Sequence, residues 1–290
     1  MHGVLNLNKP QGITSRHAVS KAQKALGVRK AGHAGTLDPM ATGVLLICIG
    51  EATKISRFLM DSDKSYRATL KLGERTDTQD AEGRVIETRV YDHVTPEFLK
   101  SAFESFSGRI EQMPPMYSAV KINGQPLHRL ARKGIEAERK ARDVEIRSIV
   151  IVETAFPYVT FDVVCSKGTY IRTLSEDIGL RLGCGAHLTA LERTRSGVFS
   201  VEKSIALDEV DPEKVGLVTI AEALTQCERI TIGRDAEDHL RHGRPVALSD
   251  ATEGEDRHDL VVWSEDGRVV GIGDLSAGVL RISRILNLPF

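Results

Sequence analysis

Hydrophobic and polar positions along this chain fall into short runs of two periods. Tyr66, Ala68, Leu70 and Leu72 alternate with Arg67, Thr69 and Lys71, which predicts a strand with one buried face. Residues 44–49 form an unbroken apolar run, which predicts a buried strand. Residues 4–7, 144–152 and 159–165 also read as strands. Helical spacing places Ala18, Val19, Ala22, Ala25 and Leu26 on one face of a helix capped by Thr14 or Ser15 and ending near Gly27. Residues 52–60 read as a helix. A further helix starts with Thr95 as cap and Pro96 at its first position and runs to Gly108, its inner face made of Phe98, Leu99, Ala102, Phe103 and Phe106. Residues 173–182 form another helix, closed by Gly183.

Beyond residue 208 the pattern changes. Residues 208–225 read as a connector, and the tail is strand-rich: Leu260-Val261-Val262-Trp263, a turn at Glu265-Asp266-Gly267, then 269–273. The expected organisation is a large domain over 1–228 and a small one over 229–290. Within the first, residues 119–142 are poor in large apolar side chains and punctuated by Gly124 and Gly134, which predicts a mobile insertion with one short helix.

Composition narrows the class. With 41% apolar and 27% charged residues, the chain can build a core and suits a soluble protein. No apolar run is long enough to span a bilayer, and residues 1–7 lack a basic and then apolar leader. Cys48, Cys165, Cys184 and Cys227 form no Cys-x-x-Cys pair and no zinc spacing, so reduced thiols in a cytoplasmic protein are expected. The net charge of −1 hides an uneven distribution. Residues 1–60 carry eight basic and two acidic side chains, and residues 119–142 carry seven and two, whereas residues 229–290 are net acidic. Polyanion binding follows the local field, so the two basic segments, with Arg129, Arg132 and Lys133 in the second, are candidates for RNA-backbone contact. A short helix there would set Arg129 near both Arg132 and Lys133.

The candidate chemistry lies in residues 32–43, where three glycines, a proline and two threonines surround Asp38, one of only two acids in the first sixty residues. An Asp before Pro in such a stretch is ordinarily a turn residue. The other reading is a carboxylate presented to a polyanion as nucleophile or general base. The stretch lacks the Gly-Lys-Ser/Thr ending of a phosphate-binding loop, no dinucleotide fingerprint is present, and no His/Asp/Glu cluster has metal-ligand spacing, so neither cofactor nor metal is expected.

Residues 33–43, together with Gly50-Glu51-Ala52-Thr53-Lys54, Asp63-Lys64-Ser65-Tyr66-Arg67, Arg75-Thr76-Asp77-Thr78, Pro114-Pro115-Met116-Tyr117-Ser118-Ala119 and Lys167-Gly168-Thr169-Tyr170-Ile171-Arg172, resemble in order the motifs of the bacterial tRNA pseudouridine-55 synthases, the B-type pseudouridine synthase family. The resemblance covers nearly the whole chain. It implies an α+β fold with a mixed, largely antiparallel sheet and flanking helices, and a small C-terminal PUA-like β module that binds RNA. It implies isomerisation of uridine to pseudouridine in the T stem-loop of tRNA, with the base flipped from the stack. No obligate protein partner is implied, and a monomer is expected.

By the same resemblance Asp38 is the catalytic carboxylate. Arg172 is its ion-pair partner, Tyr66 stacks on the uracil, and Lys54 orients the loop. His33 fills the space the base leaves, and Leu191 is an apolar pocket position. If residues 167–172 are extended, Tyr170 and Arg172 share a face and point into one pocket. The residues leave open whether Asp38 attacks C1′, attacks the base, or promotes elimination to a glycal. A non-catalytic tRNA-binding protein and an RNA glycosidase remain alternatives.

Overall fold

The structure, a computed structural model, describes residues 1–118, 120–122, 124–131, 133–135, 137–248 and 256–288. In chain order β1 (Gly3–Lys9), α1 (Ser15–Ala25), β2 (Ala31–His33) and β3 (Thr42–Ile49) come first, then α2 (Ser56–Asp61) and β4 (Lys64–Leu72). The hairpin β5 (Glu74–Thr76)–β6 (Val85–Thr88), α3 (Pro96–Glu104) and β7 (Gly108–Gln112) follow, then β8 (Lys121–Ile122), β9 (Gln125–Pro126) and α4 (Leu127–Ala131). The chain continues through β10 (Arg142–Ala155), β11 (Tyr158–Cys165), α5 (Ile171–Arg181), β12 (Ala186–Ser196), β13 (Phe199–Ser200), β14 (Ile205–Ala206) and α6 (Ile220–Ala223). It closes with β15 (Arg229–Ile232), α7 (Arg234–Arg241), β16 (Val246–Ala247), β17 (Arg257–Ser264), β18 (Val269–Ser276) and β19 (Val279–Ile285).

Among the described residues the larger sheet has ten strands, with the path β14-β1-β3-β12-β4-β11-β10-β7. Only β1–β14 and β3–β12 pair in parallel within it. The fold is therefore α+β with a mixed, mostly antiparallel sheet. Period two decides its faces. Leu5, Leu7, Leu45, Ile47, Leu70 and Phe161 face a layer formed by α1, α3 and α5, where Phe103 meets Phe161 edge-on at 5.2 Å between ring centroids. The intervening residues Val4, Val44, Leu46 and Cys48 face the other way and pack with Ala52, Ile55, Ile220 and Leu224. The unbroken apolar run of β3 follows, since a strand covered on both sides has no polar face.

The second sheet, β15-β17-β18-β19-β16, has five strands among the described residues. Its Val261, Val269 and Ile272, with Leu286, extend the core behind β1 and β3. Leu260, Val262, Val270 and Leu280 face the other way and pack with Leu240 of α7. This sheet is the small C-terminal β module. Residues 208–225, read as a connector, are not a loose one: Val218 exchanges backbone hydrogen bonds with Val4 at 2.8 and 2.9 Å, and Ile220 is buried.

Three other elements differ from the sequence reading. The helix expected to reach Gly108 stops at Glu104, because Gly108 adopts φ +90° and opens β7. α5 begins at Ile171, two residues before its expected start. β12, which supplies the centre of the large sheet, was not read from the pattern at all. Arg193, a charged residue at a buried inward position, and a bulge between Leu188 and Ala190 break its apolar–polar alternation. Within 119–142 the described residues form the β8–β9 hairpin and α4. The helix ends at Ala131, so Lys133 lies in the turn beyond it, while Arg132 is outside the described residues.

Candidate active site

Asp38 sits in the loop between β2 and β3, and three elements hold that loop from beneath. The Ser15 hydroxyl of α1 donates to the Leu37 carbonyl at 2.9 Å and accepts from the Leu37 N–H at 2.8 Å. Lys9, fully buried at the end of β1, donates to the carbonyls of Pro10, Ile13 and, at 3.3 Å, Pro39. Arg193 of β12, also buried, donates from Nε to Val44 at 2.7 Å and from Nη1 to Thr36 at 3.3 Å. The backbone crossing is tight as well. Gly43 has φ +95°, and a Cβ there would lie 2.3 Å from the Arg193 carbonyl oxygen, so only glycine fits where β3 meets β12.

The loop opens onto a cavity of about 1070 Å³. This is at the upper end of the roughly 300–1,000 Å³ of small-molecule sites, roomy for a nucleotide with part of its chain. Asp38 and Arg172 meet there. Arg172 Nε lies 2.9 Å from Asp38 Oδ2 as an ion-pair contact, and Nη2 donates to Oδ1 at 3.3 Å. The same guanidinium donates to the carbonyls of Tyr117 at 2.8 Å and Thr78 at 3.1 Å, and Nη1 lies 3.4 Å from Asp80 Oδ2. The Arg172 side chain is 4% exposed and that of Asp38 33%, so the carboxylate faces the cavity and the cation supports it from behind. Burial pushes the Asp38 carboxyl above the ordinary carboxylate range; Arg172 pulls it back, and Asp80 pushes it up again. Burial also lowers Lys9 to about 8, against the pull of Asp38.

Tyr66 and Leu191 line the same cavity from β4 and β12. Tyr66 is the cross-strand partner of Arg193, and Leu191 that of Ala68. Burial pushes the Tyr66 phenol upward, and it stays protonated. His33, at the end of β2, is held below its ordinary value by burial and by Arg193, so it is neutral near pH 7. Tyr170 and Arg172 both reach the cavity, but not from an extended segment. Tyr170 is the N-cap residue of α5 and Arg172 is in its first turn. The Gln112 amide fixes that start, accepting from the Tyr170 N–H at 2.7 Å and donating to its carbonyl at 3.0 Å.

Lys54 is not brought to this cavity. Its ammonium donates to Glu51 and to the Ile285 carbonyl of β19, both at 2.7 Å. The turn that carries it faces the C-terminal module, so the structure does not bring Lys54 together with the other expected site residues. Arg129 of α4 does line the cavity, and Lys133 is exposed beyond it. Asp80, Lys9 and Arg193 were missed as site residues. The signal for Asp80 was its place two residues after the motif at 75–78; that for Arg193 was its two-residue spacing from Leu191. Lys9 gave no signal beyond its turn cluster, because only folding buries it.

Among the described residues no group of three or more His, Cys, Asp or Glu is placed to hold a metal ion. Cys48, Cys165 and Cys184 are buried thiols, and none of the four cysteines is disulfide-bonded. What the cavity can do chemically is present an anion, fixed by a buried cation, beside a phenol and an aliphatic wall.

Residues 23–171 match the family model described as TruB family pseudouridylate synthase (N terminal domain), and residues 172–223 match the tRNA pseudouridylate synthase B C-terminal domain. Proteins named tRNA pseudouridine synthase B are 46% identical in Thiobacillus denitrificans, covering 98% of this chain and 95% of that protein, and 43% identical in Clostridium tetani, covering 99% and 100%. Among solved structures, a chain of a Cbf5-Nop10-Gar1 complex matches 99% of this chain and 85% of its own length, with a TM-score of 0.76 and 27% identity.

Proposed function

The chain belongs to the TruB family of pseudouridylate synthases, isomerases acting on uridine in tRNA, and from that premise we propose that its target is uridine 55 of the T loop and that Asp38 opens the glycosidic bond. The isomerisation breaks N1–C1′, turns the uracil and joins C5 to C1′. C5 loses a proton and N1 gains one, so nothing else is consumed. A stacked base hides C1′, so the uridine must flip into the cavity. The Asp38 carboxylate can attack and still depart, which suits a reaction that must close again on the same ribose. Arg172 favours its anionic form against burial. Tyr66 offers the uracil a flat face and a protonated tip, Leu191 excludes water, and neutral His33 occupies the space that the base vacates. Arg129, which lines the cavity, and Lys133 and the C-terminal module beyond it contact the RNA backbone.

The observation that supports this reading most directly is the Asp38–Arg172 pair, with the carboxylate open to a cavity that Tyr66 and Leu191 also line. The test is incubation with unmodified tRNA, mapping of pseudouridine and measurement of free uracil. Pseudouridine at position 55 without uracil is expected. Pseudouridine elsewhere would overturn the target; free uracil would mean a glycosidase; tight binding with neither product would mean a non-catalytic RNA-binding protein.

A further inference from the structure

The loop between β5 and β6 supplies two of the groups that hold Arg172, the Thr78 carbonyl and the Asp80 carboxylate. Between them lies Gln79, whose φ of +64° is a left-handed conformation rare for a residue with a side chain. Such strain persists only where surrounding contacts impose it. Here the contacts are on α5. The Gln79 amide accepts from the Thr173 hydroxyl at 2.9 Å and donates to the Glu176 carboxylate. Glu176 is held in turn by Arg75 of β5 through Nε at 3.1 Å and Nη2 at 2.9 Å, and Arg75 Nη1 reaches Glu87 on β6 at 2.9 Å. The Gln79 backbone carbonyl accepts from the Leu188 N–H of β12 at 3.0 Å.

The helix that carries Arg172 therefore also clamps the loop that holds Arg172. Thr173 is the next residue along α5, and Glu176 is one turn on. Both polar ends of the Gln79 amide are used, so the amide has one orientation.

We propose that Gln79 is a positioning residue for the isomerisation: its amide locks the Thr78–Asp80 loop to α5 and so fixes the direction in which Arg172 presents its guanidinium to Asp38. This rests on the reading that Asp38 and Arg172 serve pseudouridine formation. Gln79 itself is not among the residues that line the cavity.

Gln79→Gly tests it, because glycine adopts the left-handed backbone without strain and removes only the clamp. Single-turnover pseudouridine formation at saturating tRNA should fall roughly ten- to a hundredfold, the scale of a small misplacement of a catalytic group. tRNA affinity should stay close to the parent. The acidic limb of the pH–rate profile should move upward, since a loosened Arg172 favours the Asp38 anion less. The other groups that face Asp38, namely Asp80 and Glu82 from the loop, Lys9 from β1, Tyr66 from β4 and Tyr170 from the start of α5, are unchanged in kind. Thr173→Val, nearly isosteric, should slow the reaction less, and should add little on the Gln79→Gly background because both act through one amide.

A parental rate for Gln79→Gly, lost affinity with a normal saturated rate, or two effects that multiply independently would each overturn the proposal. If Gln79→Gly does not fold, a parental rate and pH limb for Thr173→Val would overturn it alone. Failure of the parent protein to make pseudouridine would overturn the underlying reading, and this inference with it, and is distinguished by that control.

Discussion

Asp38 exposes a third of its side chain to the cavity, and Arg172, which holds it, exposes almost none. Asp38→Asn keeps the shape and removes the anion, so turnover should vanish while tRNA binding stays near the parent. Pseudouridine made at a substantial fraction of the parental rate would exclude the role. The raised carboxyl value of Asp38 also fixes a sign. The single-turnover rate should rise with pH through an acidic limb lying above the ordinary carboxylate range, as the nucleophile ionises. Between its ordinary and its raised value, the native Asp38 holds a proton that the unfolded chain has lost. Its contribution to stability therefore falls as pH rises through that window. Asp38→Asn should remove this slope, which melting curves of both proteins across the window would measure. Arg172→Lys should be severely impaired, because an ammonium cannot serve Asp38, Asp80 and two carbonyls at once in the planar arrangement seen here. Near-parental turnover would show that geometry at this cation is dispensable. Asp38 and Arg172 could be picked out along the chain from motif resemblance. Lys9 could not, and Arg193 only through its spacing from Leu191, because their place under the Asp38 loop depends on strands far apart in sequence.

At the scale of elements, the site is assembled from loop ends and helix starts standing on a mostly antiparallel sheet. β2 and β3 frame the Asp38 loop, the first turn of α5 carries Arg172, and β4 and β12 set Tyr66 opposite Arg193. α4 stands at the cavity with Arg129, and Lys133 follows it in an exposed turn. If these two side chains contact phosphates, Arg129→Ala/Lys133→Ala should weaken tRNA binding and lower the log–log salt slope by roughly 1–2 units. Saturated single-turnover chemistry should change far less. Unchanged affinity and slope would make this a solvated face, and a collapse of saturated chemistry with normal affinity would mean that the segment completes the site. Amphipathic α1 and α3 and strands β4 and β11 could be read from period alone, since each packs one face on a common core. The extended reading of 167–172 failed at residue 171, because the Gln112 amide pairs the Tyr170 backbone and starts a helix there. That partner is 58 residues away and invisible to local pattern.

For the whole molecule, Lys54 links the two sheets. Glu51 accepts from Lys54 and from the Asn287 N–H, both at 2.7 Å, and Arg284 donates to the Lys54 carbonyl at 2.8 Å, over an apolar layer that includes Val261 and Ile272. Lys54→Met should therefore raise hydrogen exchange around residues 285–287 and leave the saturated single-turnover rate near the parent. A collapse of that rate with unchanged protection would return Lys54 to the chemistry that its motif suggested.

The sequence by itself determined the class of fold, the strand and helix faces that bury the core and the family, and it singled out Asp38 as the candidate carboxylate. These rest on local periodicity and on contiguous motifs, which survive in one dimension. The tertiary structure alone decided which charges meet. It set Asp80 beside Arg172, buried Lys9 and Arg193 under the Asp38 loop, bound Gln79 to α5, and turned Lys54 toward the C-terminal module. Each of these contacts joins segments from 30 to 231 residues apart. Polar contacts at that separation follow from how the sheet is ordered, and no local pattern encodes them.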